Sequence, residues 1–200
     1  MFTGIIQAMG RLVHAQPAAG GMRIVAACER LADFGLRTGD SVAVNGVCLT
    51  VLEPGPERFS ADLSAETLAR TTLGRLRPGA MLNLEPALKA GDPLGGHLVT
   101  GHVDGLATLL ACEPLGDNRC LAFEAPDRLA RYIAAKGSVA IDGVSLTVNR
   151  VAGPRFDVNL IPHTLAVTTL GSLTPGDEVN LEIDPLARYL ERLLEYKERP

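Results

Sequence analysis

The stretch Ser41–Val51 reads SVAVNGVCLTV, and the stretch Ser138–Val148 reads SVAIDGVSLTV; eight of the eleven positions are identical. The offset between them, 97 residues, holds elsewhere in the chain. TLARTTLG at Thr67–Gly74 meets TLAVTTLG at Thr164–Gly171, and FTGIIQA at Phe2–Ala8 meets VTGHVDG at Val99–Gly105. Phe59 meets Phe156, Pro78-Gly79 meets Pro175-Gly176, and Asn83–Glu85 meets Asn180–Glu182. Chance identity is roughly one in fifteen per position, so a constant offset through these blocks is a tandem duplication. The period is too long for a solenoid repeat and has the size of a small domain. The chain therefore reads as two homologous domains, residues 1–97 and 98–184, followed by a tail, 185–200. The junction falls near KAGDPLGGHL, Lys89–Leu98, which is rich in glycine and carries a proline.

Each copy reads mostly as strand. Two short β-branched runs flank Asn45-Gly46 in the first copy and Asp142-Gly143 in the second. Both pairs tolerate the positive φ of a tight hairpin turn, so the Asn/Asp difference has a purely structural reading. SAETLARTTLG predicts a short helix capped by Ser64 and stopped by Gly74. Many short strands between Gly/Pro turns predict a closed barrel in each half, which leaves no free sheet edge. The tail DPLARYLERLLEYKER opens with a cap residue and an N1 proline. Leu186, Tyr189, Leu190, Leu193 and Tyr196 fall on one helical stripe; Arg188, Glu191, Arg192, Glu195 and Glu198 lie largely off it. Such a helix either packs on its own barrel or meets copies of itself from other chains. The expected fold is mainly β: two tandem homologous Greek-key β-barrels plus a C-terminal α-helix.

The totals narrow the partners. No segment is long and apolar enough for a membrane span, and MFTGIIQAMGR lacks the pattern of a signal peptide. The formal net charge of −4 argues against a nucleic-acid partner. Cys28, Cys48, Cys112 and Cys120 form no C-x-x-C pair, so no structural zinc is expected. A cytoplasmic location with free thiols is the expectation.

Several positions carry chemistry or packing. Cys48 and Ser145 are equivalent, each followed two residues on by a threonine, Thr50 or Thr147, on the same strand face. By packing alone they are small residues at matching barrel positions. No Lys, Arg or His is adjacent to Cys48 in sequence to lower its thiol pKa, so it is not read as a covalent nucleophile. His102 stands opposite Ile5; a lone histidine is commonly structural, yet its ordinary pKa suits proton transfer near neutrality. His97 follows Gly95-Gly96 and is read as fixing the linker. Lys136 replaces Gly39 and by itself reads as a solvated loop lysine. Phe2 has to be tied down to be tolerated so close to a terminus.

These motifs together, MFTGI, NGVCLTV with DGVSLTV, GGHLVTGHVDG, DLSAETL and LIPHTLAVTTLG, in this order and spacing, resemble the two-barrel riboflavin synthases across essentially the whole chain. The resemblance implies that two molecules of 6,7-dimethyl-8-ribityllumazine become riboflavin and 5-amino-6-(D-ribitylamino)uracil by transfer of a four-carbon unit. It implies no metal and no cofactor, and a cytoplasmic homotrimer held through the C-terminal helices. Each barrel would bind one lumazine, the productive site lying between the N-terminal barrel of one chain and the C-terminal barrel of its neighbour. It also raises association with a lumazine synthase.

The resemblance assigns catalysis to Phe2, Cys48, His102, Ser145 and Asp184, with Phe2 covering the rings. It assigns substrate binding to Gly4, Ile5 and Ile6; to Cys48, Leu49 and Thr50; to Asp62, Leu63, Ser64, Ala65, Glu66 and Thr67; to Gly101, His102 and Val103; to Lys136; to Ser145, Leu146 and Thr147; and to Leu160, Ile161, Pro162, His163, Thr164 and Leu165. Many members carry an acidic residue where this chain has His163, whereas Glu66 keeps it in the first copy. The reaction requires a base for an acidic methyl group of the donor, with His102, Ser145, Thr147 and water as the choices. The rival expectation is a non-catalytic lumazine- or flavin-binding protein. A flavin reductase barrel is disfavoured, because no G-x-G-x-x-G follows a strand.

Overall fold

The computed structural model describes residues 1–18 and 20–197. Residues 198–200, including Glu198 of the expected terminal helix, lie outside the described residues. The first repeat contains β1 (Ala8–Ala18), β2 (Gly21–Ala27), α1 (Leu31–Phe34), β3 (Ser41–Val44), β4 (Val47–Thr50), β5 (Arg58–Ser64), α2 (Ala65–Arg70) and β6 (Met81–Pro86). The second contains β7 (Gly105–Leu115), β8 (Asn118–Glu124), α3 (Asp127–Ala130), β9 (Ser138–Ile141), β10 (Val144–Ala152), β11 (Arg155–Leu160), α4 (Pro162–Val167) and β12 (Glu178–Ile183). Helix α5 (Pro185–Lys197) follows once.

The strands pair antiparallel in equivalent crossed orders, β4-β3-β6-β1-β2-β5 and β10-β11-β8-β7-β12-β9. The second sheet closes through a β10–β11 ladder, with Val148 opposite Val158 and Val151 opposite Phe156. The first stops short of that closure. Strand β4 ends at Thr50, and two backbone bonds, Leu52 N to Ser60 O at 2.9 Å and Gly55 N to Arg58 O at 2.7 Å, take the place of a ladder to β5. The cause is legible in Pro54-Gly55-Pro56: neither proline has an N–H to give a ladder, whereas Val151 stands where Pro54 does.

Alternation along each strand sends one set of side chains inward. Val42, Val44, Leu49, Phe59, Ala61, Leu63, Leu82 and Leu84 fill the first core. Val139, Ile141, Leu146, Phe156, Val158, Leu160, Leu181 and Ile183 fill the second. A small third cluster, Phe2, Ala43, Val99 and Ala140, lies in the seam between the barrels.

The two hairpin turns meet head to head in that seam. Asn45 (φ 46°), Gly46 (76°), Asp142 (45°) and Gly143 (79°) have the left-handed backbone that the Asn-Gly and Asp-Gly pairs predict. A Cβ on Gly46 would come within 2.6 Å of Gly143 N, so close approach as well as φ requires glycine. Asparagines lock the contact reciprocally. Asn83 Nδ2 donates to Asp142 O (3.0 Å), and Asn180 Nδ2 donates to Asn45 O (2.8 Å). Their Oδ1 atoms accept from Thr169 N and Thr72 N of the opposite repeat, each at 2.8 Å. All four residues are buried, so these bonds satisfy groups that water cannot reach.

Helix α5 begins as expected: Asp184 Oδ1 accepts from Leu186 N (3.0 Å), and Pro185 holds the first helical position. Its polar edge faces its own barrel, where Glu191 accepts from the Tyr132 hydroxyl and pairs with Arg131. Leu186, Tyr189, Leu190, Leu193, Leu194 and Tyr196 are 53–70% exposed. Among the described residues no helix is long and apolar enough to cross a membrane.

Candidate active site

The arm at the start of each repeat is fixed by its own barrel and completes the other one. Thr3 N and Thr3 Oγ1 donate to Glu85 Oε1 (2.6 and 2.7 Å), and Gly4 N donates to Glu85 Oε2 (3.0 Å). In the second repeat Thr100 N and Oγ1 donate to Glu182 Oε1 (2.6 and 2.7 Å), and Gly101 N donates to Oε2 (2.9 Å). These are the repeated NLE glutamates, and both are buried. Burial pushes the Glu85 carboxyl above its ordinary pKa, opposed by the bonds from Thr3 and Gly4. Each arm then offers a carbonyl across the seam. Gly4 O accepts from Ser145 N (2.8 Å), and Gly101 O accepts from Cys48 N (2.9 Å). Gly4 and Gly101 have φ of 76° and 79°, and a Cβ would lie 2.5 Å from Ser145 Cβ or 2.6 Å from Cys48 Cβ. Only glycine permits that approach.

Two clefts with partly corresponding walls result. The first, about 430 Å³, is bounded by Cys48, by Glu66, Thr67 and Arg70 of α2, and by Gly101, His102 and Val103 of the second repeat's arm. The second, about 710 Å³, is bounded by His163, Ala166 and Val167 of α4, by Ile5 and Ile6 of the first repeat's arm, and by Cys28 and Arg30. Each is thus lined by a helix from one repeat and an arm from the other. Their polarity differs. Arg70 Nε donates to Glu66 Oε1 at 2.8 Å in the first, where the second has Val167 and His163. The pair is more than half exposed and contributes little energy, but it gives the first cleft a charged rim.

The sequence-derived candidates divide by location. Cys48, Glu66, Thr67, Gly101, His102 and Val103 converge on the first cleft; Ile5, Ile6 and His163 converge on the second. Thr50 and Thr147 are exposed on the face that carries Cys48 and Ser145. Leu49, Leu63, Leu146 and Leu160 turn into the barrel cores, so only their backbone faces outward. Phe2 is fully buried in the seam, bonded to Val99 in both directions (2.7 and 3.1 Å), and its ring has no open face. A side chain at Gly101 would strike that ring at 3.0 Å, which makes Phe2 a support for the Gly101 turn.

Ser64 caps α2 by accepting from Thr67 N (3.1 Å), beside Ala65 at the first helical position. Ile161 and Pro162 begin α4, with Thr164 and Leu165 half-buried within it. Asp62 is held by Nε and Nη2 of Arg23 (2.7 and 2.8 Å), which keep its carboxyl below the usual range. Lys136 is exposed, with φ 67° in the turn where the first repeat has Gly39 at 94°. A non-glycine residue there stores backbone strain.

His97 is the residue that sequence reasoning placed only in a linker. Its Nδ1 shares a 2.7 Å hydrogen bond with Ser145 Oγ, 48 positions away. No local pattern announces that contact, because the Gly95-Gly96 turn creates it. A Cβ at Gly96 would fall 2.2 Å from Thr3 O and 2.8 Å from Ser145 Oγ. Burial pushes the imidazole pKa down, opposed by the nearby Asp184 carboxylate. A neutral ring at neutral pH follows. Its buried Nε2 has no hydrogen-bond partner among the described residues. A neutral imidazole bonded to a hydroxyl can take that hydroxyl's proton. Cys48, at the equivalent position in the first repeat, faces the Gly101 turn.

The Lumazine binding domain pattern matches residues 3–87 and again 100–184, both repeats nearly end to end. A riboflavin synthase of Brucella abortus is 46% identical over 204 aligned residues, covering 98% of this chain and all of that one. A riboflavin synthase of Mycobacterium tuberculosis is 45% identical, covering 97% and 98%. Among solved structures, LumP complexed with riboflavin superposes with a TM-score of 0.82 at 27% identity, covering 92% of this chain and 99% of that one.

Proposed function

The chain belongs to the riboflavin synthase family, and from that premise we propose that it converts two 6,7-dimethyl-8-ribityllumazines into riboflavin and 5-amino-6-(D-ribitylamino)uracil. A four-carbon unit passes from a donor lumazine to an acceptor. The supporting observation is a pair of clefts, each built from a helix of one repeat and an arm of the other. A reaction between two copies of one substrate calls for two similar pockets. Holding both rings in place makes the encounter effectively unimolecular, a gain of up to about 7–11 kcal/mol.

Donor and acceptor play unlike roles, and the cleft walls differ in polar groups, Glu66 with Arg70 against His163 with Val167, as do the matched strand positions Cys48 and Ser145. In this reading His97 keeps Ser145 ready to remove or relay the proton of the donor's acidic methyl group, and Asp184 favours the transient imidazolium. His102 serves the first cleft. Ser64, Thr67, Thr164 and backbone groups at the starts of α2 and α4 take the ribityl hydroxyls, which must be paired once buried. Lys136 reaches a ligand held by a neighbouring barrel. The exposed apolar stripe of α5 is the surface through which three chains assemble, bringing the first repeat of one chain to the second of the next. A stripe this apolar is costly to leave in water. A cytoplasmic enzyme that needs neither metal nor cofactor completes the proposal.

The rival, a lumazine carrier without chemistry, draws on the likeness to LumP. The higher identity to the synthases, together with the His97–Ser145 pair, favours the enzyme. The test is to incubate the purified protein with 6,7-dimethyl-8-ribityllumazine alone in chelator-treated buffer. One riboflavin formed per two lumazines consumed is the expected result. Tight binding with no riboflavin would leave a carrier.

A further inference from the structure

Helix α5 is joined to the first cleft by one ion pair. Arg188 Nη1 donates to Asp104 Oδ1 (2.8 Å), and Arg188 Nη2 donates to Oδ2 (3.1 Å). The Asp104 side chain is only 9% exposed. Its Oδ2 also accepts from Ile183 N (3.0 Å), and its own N–H donates to Leu181 O (2.9 Å). The Asp104 carbonyl accepts from Arg128 Nη2. One residue is thereby tied to β12, α3 and α5. It stands two positions beyond His102 and, with Arg128, forms part of the wall of the first cleft.

The equivalent residue of the other arm is Gln7. It keeps the backbone bond, Gln7 N to Leu84 O at 3.0 Å, but turns its amide back to Ile5 O (3.1 Å). The chain after β6 runs into the linker, and no helix stands where α5 does. The arm that completes the first cleft is therefore pinned to the terminal helix, and the arm that completes the second is not.

We propose that Arg188 is a positioning residue that couples the seating of α5 to ligand affinity at the first cleft alone. Removing the guanidinium leaves a largely buried carboxylate with a single N–H donor. Such a group recovers solvation by swinging outward. The swing carries residues 101–104 with it and loosens His102 and Val103 over Cys48. Anything that holds α5 down, including its packing against other copies, works in the opposite sense. The coupling rests on the proposal that both clefts take lumazine.

Histidine side-chain NMR tests this on the full-length protein, because His102 lines the first cleft and His163 the second. Titration with 6,7-dimethyl-8-ribityllumazine is followed at each imidazole for the unaltered protein, Arg188→Ala, Arg188→Lys and Asp104→Asn. The expected result for Arg188→Ala is a midpoint about tenfold higher at His102 (about 1.4 kcal/mol) with no change at His163. Arg188→Lys recovers only part of this, because an ammonium cannot bind both oxygens. Asp104→Asn leaves no stranded carboxylate, so its His102 midpoint rises by less than that of Arg188→Ala; Arg188→Gln, which does strand it, stands in for Arg188→Ala if that variant does not fold. Unchanged midpoints at both histidines, or equal shifts at both, overturn the coupling. Failure of either imidazole to respond in the unaltered protein overturns the lumazine reading itself.

Discussion

Asp142 is a carboxyl where the first repeat has an amide, at the turn where the two barrels touch. Its Oδ1 accepts from Asn180 N at 2.8 Å, as Asn45 Oδ1 accepts from Asn83 N at 2.7 Å. It is 6% exposed, and burial pushes its pKa from the usual 3.8 up to about 7, against the weaker opposing pull of the Asn180 bond. The folded chain therefore holds a proton between pH 3.8 and about 7 that the unfolded chain has released. Stability falls as pH rises through that window, and the full cost is present above it. At about 1.36 kcal/mol per pH unit, the cost reaches about 4 kcal/mol. Asp142→Asn keeps the acceptor and removes the charge. The expected outcome is equal stability of variant and wild type below pH 4, and a variant more stable by up to about 4 kcal/mol at pH 8. Urea midpoints at a single protein concentration, measured from pH 4 to 8.5, read the difference; His97 and Glu85 are common to both proteins and cancel. A pH-independent gap would refute the reasoning, because it would mean that the carboxyl ionises normally in the seam.

Three further outcomes are expected. Asn180→Ala removes two side-chain bonds between the repeats and leaves Thr72 N and Asn45 O unpaired; a loss of about 2–3 kcal/mol is expected as a lowered calorimetric Tm. His97→Gln and Ser145→Ala are each expected to lower kcat by about 100-fold or more without loss of lumazine binding at the first cleft, as read by rapid-quench riboflavin formation beside a fluorescence titration. Leu190→Glu with Leu193→Glu places charges on the exposed stripe of α5, so light scattering should report single chains whose circular dichroism still matches that of the parent.

The duplication, the hairpin turns, the Ser64 cap and the terminal helix were legible because each rests on local chemistry; Gly74 is not the expected stop, because α2 ends at Arg70 with Thr71 as its C-cap and Gly74 lies in the 3-10 turn Thr72–Arg75 that follows. Asn45-Gly46 and Asp142-Gly143 can hardly form anything but tight turns, and Ser64 caps α2 as its spacing predicts. Closure of both barrels was expected, and only the second has the full ladder. The reason, Pro54 and Pro56, was present in the sequence but carries weight only once their neighbours across the seam are known. The His97–Ser145 bond was not legible, because proximity there comes from how an arm of one repeat lies on a strand of the other. Phe2 shows the same limit from the opposite side. Its need for an anchor was readable, yet its place as a buried support beneath Gly101 was not. Glu85 and Glu182 lay inside the matched NLE blocks and could have been flagged, since a charged residue set between apolar neighbours in two matched strands needs a partner.

The reciprocal arms explain why duplication here is more than two sites on one chain. Neither cleft can be completed by its own repeat, because the Gly4 turn sits on Ser145 and the Gly101 turn on Cys48. A change in one repeat therefore alters the opposite cleft through the arm as well as its own through the strand. Symmetry lets one solution, a Thr-Gly turn held by a buried glutamate, serve both clefts. Asymmetry enters at the few places where the copies differ in polar groups: His97 beside Ser145, Glu66 with Arg70 against His163 with Val167, and Asp104 tied to a helix that Gln7 lacks. Substitutions that restore equality at those positions, rather than in the shared frame, are the ones expected to leave both clefts standing and abolish the difference between them.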